Sequence, residues 1–248
     1  MRAYRTSRTP GTLGIIGSGM IGSTLARLAV AAGLDVVVAN SRGPETLADL
    51  VAELGARARA ATAAEAARAG DIVVATVPLR AYDRLPVEAL AGRTVIDTMN
   101  YYSDRDGAIA ELDAGELTSS ALVQRHLAGA KVVKAFNNID FRRLLTSARP
   151  AGDADRSALP VAGDDAAAKA EVTALLDTLG YDAVDLGALA DSWRSQPGTP
   201  VYVEPYMGKR PEGLSQEEAS RWFFETPGVP VPAARVKELA AEATRVTK

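Results

Sequence analysis

Residues 12–26 read TLGIIGSGMIGSTLA, and this stretch decides the fold. The apolar run TLGIIG has the character of a buried strand and stops at a glycine. From Met20 to about Ala32 the apolar positions Ile21, Leu25, Leu28 and Ala32 recur at helical spacing, and Gly33 follows as a helix-ending glycine. Between strand and helix lies Gly17-x-Gly19-x-x-Gly22. In that position the first glycine permits a tight turn, the second lets a pyrophosphate approach the backbone, and the third lets helix and strand pack closely. The helix N-terminus adds unpaired N–H groups and a partial positive charge for the anion. Gly17, Ser18, Gly19, Met20, Ile21 and Gly22 are therefore the first candidate cofactor contacts.

Outward from this motif the pattern repeats. DVVVAN (35–40) reads as a strand covered on both faces, and TLADLVAELG (46–55) as a helix with Pro44 in its tolerant first turn. A helix over 62–69, strand 71–77, a loop and short helix over 79–91, strand 93–98, helix 118–128 and strand 131–136 continue the alternation. Apolar strands alternating with helices imply βαβ units and a parallel sheet covered on both faces. Right-handed crossovers then favour a Rossmann-like doubly wound α/β sheet. Residues 140–156 are polar, with Pro150 and Gly152, and suggest a boundary; 158–187 form one more βαβ-like unit. Seven of the thirteen prolines and six of the thirteen aromatic residues lie between Trp193 and Pro232, and a helix over 232–246 closes the chain. The expected organisation is an N-terminal extension (1–11), a dinucleotide-binding domain (12–139), a small C-terminal α/β part (140–190), and an extended arm with a terminal helix (191–248).

The 248 residues carry 28 Lys+Arg against 31 Asp+Glu, a balance that argues against a nucleic-acid partner. Absence of cysteine excludes disulfides, thiolate nucleophiles and cysteine-held metals, and the single histidine, His126, removes most histidine metal sites. No metal is expected. No apolar run reaches the length of a membrane span and no signal-peptide pattern stands at the start, so a cytoplasmic location with no membrane partner is expected.

The second strand ends in Asn40-Ser41-Arg42, where an NAD site would place an acidic side chain for the ribose 2′-hydroxyl. A guanidinium and a hydroxyl suit a 2′-phosphate instead, which points to NADP(H). Val77 and Pro78, Asn100, and the AFNN run at 135–138 belong to the carboxyl edge of the strands, where ligands of such sheets sit. Apolar walls suit a nicotinamide ring, and Asn100, Asn137 and Asn138 could position amide or carbonyl groups. His126, on a helix beside Arg125, reads as a packing residue. Asp97, inside an otherwise apolar strand, needs hydrogen-bonding partners and is a weak proton-donor candidate, as are Tyr101 and Asn137.

In order, GIIGSGMIGSTLA, VVVANSRGPETL, DIVVATVP, VIDTMNYY and VVKAFNN resemble the family of NADPH-dependent reductases of coenzyme F420, and are similar to the cytosolic domain of the six-transmembrane metalloreductases. The resemblance covers roughly residues 12–190. It implies NADP(H) held by the glycine loop, Ser41 and Arg42, with the nicotinamide near Val77, Pro78 and Ala135. It also implies a small C-terminal part closing over a deazaflavin, with hydride passing directly between the rings. Two departures stand out: Thr46 occupies the place of a lysine found in some relatives, and some 55 residues follow Ala190. The expected activity is NADP-dependent oxidoreduction with F420 as co-substrate. The alternatives are reduction of a small imine, ketone or enone, or a non-catalytic NADP(H) sensor. The aromatic residues of the arm need burial, and the expectation is that the arm crosses to a second subunit of a homodimer.

Overall fold

The computed structural model describes residues 11–245; the expected extension up to residue 10 and Val246 lie outside the described residues, and the terminal helix ends at Glu242, short of the expected 246. Eight strands form one sheet in the order β3-β2-β1-β4-β5-β6-β7-β8. They are β1 Thr12–Ile16, β2 Asp35–Ala39, β3 Ala58–Ala60, β4 Ile72–Ala75, β5 Thr94–Asp97, β6 Lys131–Lys134, β7 Ala158–Gly163 and β8 Asp182–Asp185. From β3 through β6 all neighbours are parallel, β7 runs antiparallel to β6, and β8 is parallel to β7.

Strand periodicity explains the layers, because successive side chains point to opposite faces. Ile15, Ile72, Val74, Ile96 and Val133 join a core beneath the helices Met20–Ala31, Ala48–Leu54, Phe141–Thr146, Ala166–Thr178 and Ala233–Glu242. Ile16, Val73, Ala75, Val95 and Val132 face a second core, under Ala63–Ala69, Val87–Leu90 and Ser119–His126. This is the doubly wound arrangement, and the chain reverses its winding between β1 and β4. That reversal opens a crevice beyond their carboxyl ends, directly over the glycine loop.

Three elements differ from the expectations. The strand Ala58–Ala60 was not anticipated; it is a short edge strand with Arg59 outward. The polar stretch 140–156 contains the helix Phe141–Thr146, started by Asp140, whose carboxylate accepts the N–H groups of Arg142 and Arg143 at 2.9 and 3.1 Å. The arm contains the helix Gln216–Glu225, where Ser215 and Glu218 form a reciprocal cap.

The arm packs on its own chain at several points. Tyr206 is fully buried, donates its hydroxyl to Ala158 O at 2.9 Å, and accepts from Asn138 Nδ2 at 3.0 Å. Val203 N–H donates to Asn138 O and Ala158 N–H to Val231 O, both at 2.8 Å. Val236, Leu239 and Ala240 bury the terminal helix, which packs against β7 and β8. An intramolecular core buries these apolar side chains. The helix Gln216–Glu225 is the looser part: Phe223 and Phe224 rest on Phe141, while Arg143 donates to the carbonyls of Phe223 and Thr226.

Candidate active site

The glycine loop follows β1 directly. Gly17 has φ of +115°, its N–H donates to Ala39 O at 2.8 Å, and a Cβ there would stand 2.2 Å from Thr76 O. A Cβ on Gly22 would lie 1.9 Å from Gly17 O, so this glycine is required by helix–strand packing. Gly19 is different: its Cβ would meet no protein atom within 4 Å, so its side faces open space. The helix that begins at Met20 has no side-chain cap and no acid in its first turn. An anion placed before Gly19 would meet an uncompensated helix N-terminus. Met20 flanks that space and is 65% exposed.

At the end of β2, Asn40 builds the next piece. Its Oδ1 accepts the N–H groups of Arg42 and Gly43 at 2.9 and 3.0 Å, and its Nδ2 donates to Thr46 Oγ1 at 2.9 Å. Thr46 Oγ1 in turn donates to Gly43 O at 2.8 Å. Asn40 and Thr46 thus brace the turn from within. The side chains of Ser41 and Arg42 are exposed and have no hydrogen-bond or ion-pair partner. A folded, braced turn presenting an unpaired guanidinium and hydroxyl fits a 2′-phosphate.

The far walls of the crevice hold the remaining candidates. Pro78 lies in the exposed loop beyond β4, which ends at Ala75, and Val77 is half-buried beside it. Ala135 is fully buried, so its side chain has no surface to offer a nicotinamide. Asn100 and Asn137 face each other: Asn100 Nδ2 donates to Asn137 O at 2.8 Å, and Asn137 Nδ2 donates to Asn100 Oδ1 at 3.1 Å and Ser195 O at 2.8 Å. These amides stitch the ends of β5 and β6 to the arm, and Asn137 is not free to meet a substrate. Asn138 is likewise occupied, donating to Val201 O and Tyr206 Oη. His126 packs edge-on to Tyr82 at 5.5 Å between ring centroids, as a packing residue should.

Asp97 and Tyr101 are also structural. Asp97 is fully buried and accepts from Met99 N–H at 2.8 Å, Ser120 Oγ at 2.7 Å and Lys134 Nζ at 3.1 Å. Lys134 stands opposite it in the β5–β6 register and also donates to Met99 O and Ser119 Oγ. Burial pushes the Lys134 ammonium down from its ordinary value, and the Asp97 carboxylate opposes that shift. Tyr101 donates to Gly107 O and Asp113 Oδ1 and accepts from Ile109 N–H, which pins the 101–113 loop. Burial raises its hydroxyl above the ordinary value, and its proton is already engaged within its own loop.

Sequence reasoning missed Lys134 and Ser195 as partners of these groups. KVVK in an otherwise apolar strand was the available signal for the first. Tyr202, one of the arm's aromatic residues, brings its hydroxyl against that of Tyr102 across the ends of the sheet. A separate groove of about 760 Å³, lined by Lys169, Ala170, Thr173 and Ala183, lies at the β8 edge and shares no residue with the crevice. No helix among the described residues is long and apolar enough to cross a membrane.

Fold and loop together define a dinucleotide-binding α/β protein of the oxidoreductase type. The family described as NADP oxidoreductase, coenzyme F420-dependent, matches residues 12–101. The hypothetical protein SMa0349 of Sinorhizobium meliloti is 32% identical, with a TM-score of 0.69 over 78% of this chain and 93% of its own. A protein of Arthrobacter sp. FB24, named for F420-dependent NADP-reductase activity, is 26% identical with a TM-score of 0.62, over 74% of this chain and 87% of its own. Metalloreductase STEAP3 of Rattus norvegicus is 30% identical over 182 residues, 73% of this chain and 34% of that protein. The chain spans 34% and 43% of the length of the two curated relatives it matches. The match places residues 12–101 of this chain in the family of coenzyme F420-dependent NADP oxidoreductases.

Proposed function

We propose that this protein is an NADPH-dependent oxidoreductase that transfers hydride between NADP(H) and a second small molecule, with coenzyme F420 as the partner. The observation that carries the reading is the braced turn at the end of β2, which holds Ser41 and Arg42 exposed and unpaired beside the open side of Gly19. Gly17 to Gly22 and the helix N-terminus would hold the pyrophosphate, Ser41 and Arg42 the 2′-phosphate, and Val77 and Pro78 would form the apolar wall near the nicotinamide. When bound, the nicotinamide supplies or accepts the hydride. Asn40 and Thr46 keep the phosphate turn in shape; Asn100, Asn137 and Ser195 keep the crevice wall in place. This division of labour follows the reading of 12–139 as the nucleotide-binding part, with 140–190 and the arm closing the acceptor side. The family and the Arthrobacter protein's name support F420 as acceptor.

Following NADPH absorbance with purified protein tests the proposal. Oxidation with F420 and not without it is the expected outcome. Oxidation only with a panel of imines, ketones or enones would replace F420 by that class, and no oxidation with tight NADPH binding would favour a sensor. A cytoplasmic homodimer belongs to the same proposal: Leu145, Phe224 and Val229 leave apolar surface exposed, and light scattering reads the mass directly.

A further inference from the structure

We propose that Tyr202, relayed through Tyr102, is the proton donor to the hydride acceptor; this rests on reading the crevice as a hydride-transfer site. Hydride addition to a conjugated ring amide, carbonyl or imine leaves an electron pair on nitrogen or oxygen, and a positioned acid speeds that step. The crevice holds no histidine; the buried carboxylate of Asp97 is saturated by Met99, Ser120 and Lys134, and that of Asp106 by Arg105 and the N–H groups of Tyr102 and Arg80.

Elimination among the tyrosines leaves one pair. Tyr101 is engaged three times by its own loop. Tyr181 and Tyr206 are buried and donate to backbone carbonyls at 2.7 and 2.9 Å. Tyr82 packs on His126, under the other face of the sheet. Tyr102 and Tyr202 alone of these have hydroxyls bonded to each other and to nothing else. Their placement is that of the crevice mouth. Tyr102 lies two residues beyond Asn100, at the end of β5; Tyr202 precedes Val203, whose N–H is held by Asn138 at the end of β6. Tyr102 is 38% exposed and Tyr202 is half-buried, so the pair runs from solvent inward.

The charged groups around the pair fit a relay. The Arg105 guanidinium lies 4.8 Å over the Tyr102 ring and stabilises negative charge there. Asp106 accepts from Arg105, from Tyr102 N–H and from Arg80 N–H, which fixes Arg105 in place. In the step, hydride brings two electrons to the acceptor carbon and an electron pair moves onto the acceptor's nitrogen or oxygen. The Tyr202 O–H bond breaks as its proton joins that atom. Tyr202 regains a proton from Tyr102, which exchanges with water, so one NADPH and one proton are consumed per acceptor reduced.

Tyr202→Phe and Tyr102→Phe, assayed with NADPH and F420 from pH 6 to 9, test the assignment. Tyr202→Phe should lower kcat by about a hundredfold, as loss of a general acid does, with NADPH affinity within about twofold of wild type. Wild-type kcat should be flat over this range; the Tyr202→Phe rate should fall with rising pH, because solvent acid replaces the hydroxyl. Tyr102→Phe should show a smaller loss. A merely structural role would not change the shape of the pH profile. Tyr202→Phe with wild-type kcat and a flat profile would overturn the assignment alone. Wild-type protein that binds NADPH and reduces nothing would overturn the hydride-transfer reading, and this inference with it.

Discussion

Arg42→Ala separates nucleotide recognition from folding more cleanly than any other change. The Arg42 side chain is exposed and unpartnered, and its backbone N–H bond to Asn40 Oδ1 survives the substitution. Stability should therefore move by no more than about 0.5 kcal/mol. What disappears is a charge-assisted contact to the 2′-phosphate, which contributes about 1.5–3 kcal/mol. Each 1.4 kcal/mol is tenfold in Kd, so NADPH affinity should fall by roughly tenfold to a hundredfold. NADH has no such phosphate and should bind as before, so the preference collapses by the same factor. Because the site faces solvent, wild-type preference should also shrink as salt rises, and the Arg42→Ala ratio should be nearly salt-independent. Arg42→Lys should fall between, keeping the charge but losing the planar fork. Fluorescence titration of both nucleotides at two ionic strengths reads all of this. An unchanged NADPH-to-NADH ratio in Arg42→Ala would refute the assignment of this turn to the 2′-phosphate.

Gly19→Val should remain folded, since its Cβ meets no protein atom, yet lose nucleotide binding; retained affinity in a titration would make the loop purely structural. Lys134→Met leaves Asp97 buried without its cation and should cost about 3–5 kcal/mol in urea unfolding, whereas Lys134→Met with Asp97→Asn should cost clearly less than the sum of the two single changes. Strictly additive costs would show that the two groups do not act as a pair. Acid should destabilise the fold. Glu53 is held below its ordinary value by Arg27, Glu65 by the Thr62 cap, and Asp165 by the N–H of Ala168. Carboxylates depressed in the folded state contribute stability that is fully present above their unfolded values, 4.5 for Glu and 3.8 for Asp, and is lost as pH falls through the lower folded values. Calorimetry should show Tm level from pH 6 to 8 and falling below about 4.5; a Tm that rises on acidification would contradict this.

The sheet was legible because strands buried on both faces are apolar along most of their length: β1, β2, β4 and β5 sit inside the stretches expected for them. The edge strand Ala58–Ala60 lacks that signature, since one flank faces solvent and Arg59 breaks the run. The helix Phe141–Thr146 carries Arg142 and Arg143, which read as polar linker until their work on the arm's carbonyls is visible. Residue types at the site were legible in chemistry but not in engagement. Asn100, Asn137, Asp97 and Tyr101 lie near the strand ends, as expected, yet each has at least one partner 6 or more residues distant, the farthest 58. Such partners come from tertiary packing, which no local pattern encodes. Asn40 differs, because its partners lie two to six residues downstream and an Asx turn was within reach of the sequence.

The seam at Asn138 carries a consequence for how the protein comes into being. Its side-chain N–H groups donate to Val201 O and Tyr206 Oη and its backbone carbonyl accepts from Val203 N–H, all residues made more than sixty positions later. On a ribosome, β1 to β6 and the glycine loop emerge before any of these exist, and folding there proceeds from the N-terminal side. A nascent chain can therefore shape its nucleotide cradle while Asn138 is still hydrated. Only when residues 195–206 leave the exit tunnel does the seam close, and with it Tyr202 arrives opposite Tyr102. Biosynthesis thus runs in one direction: the cradle first, the acceptor wall last.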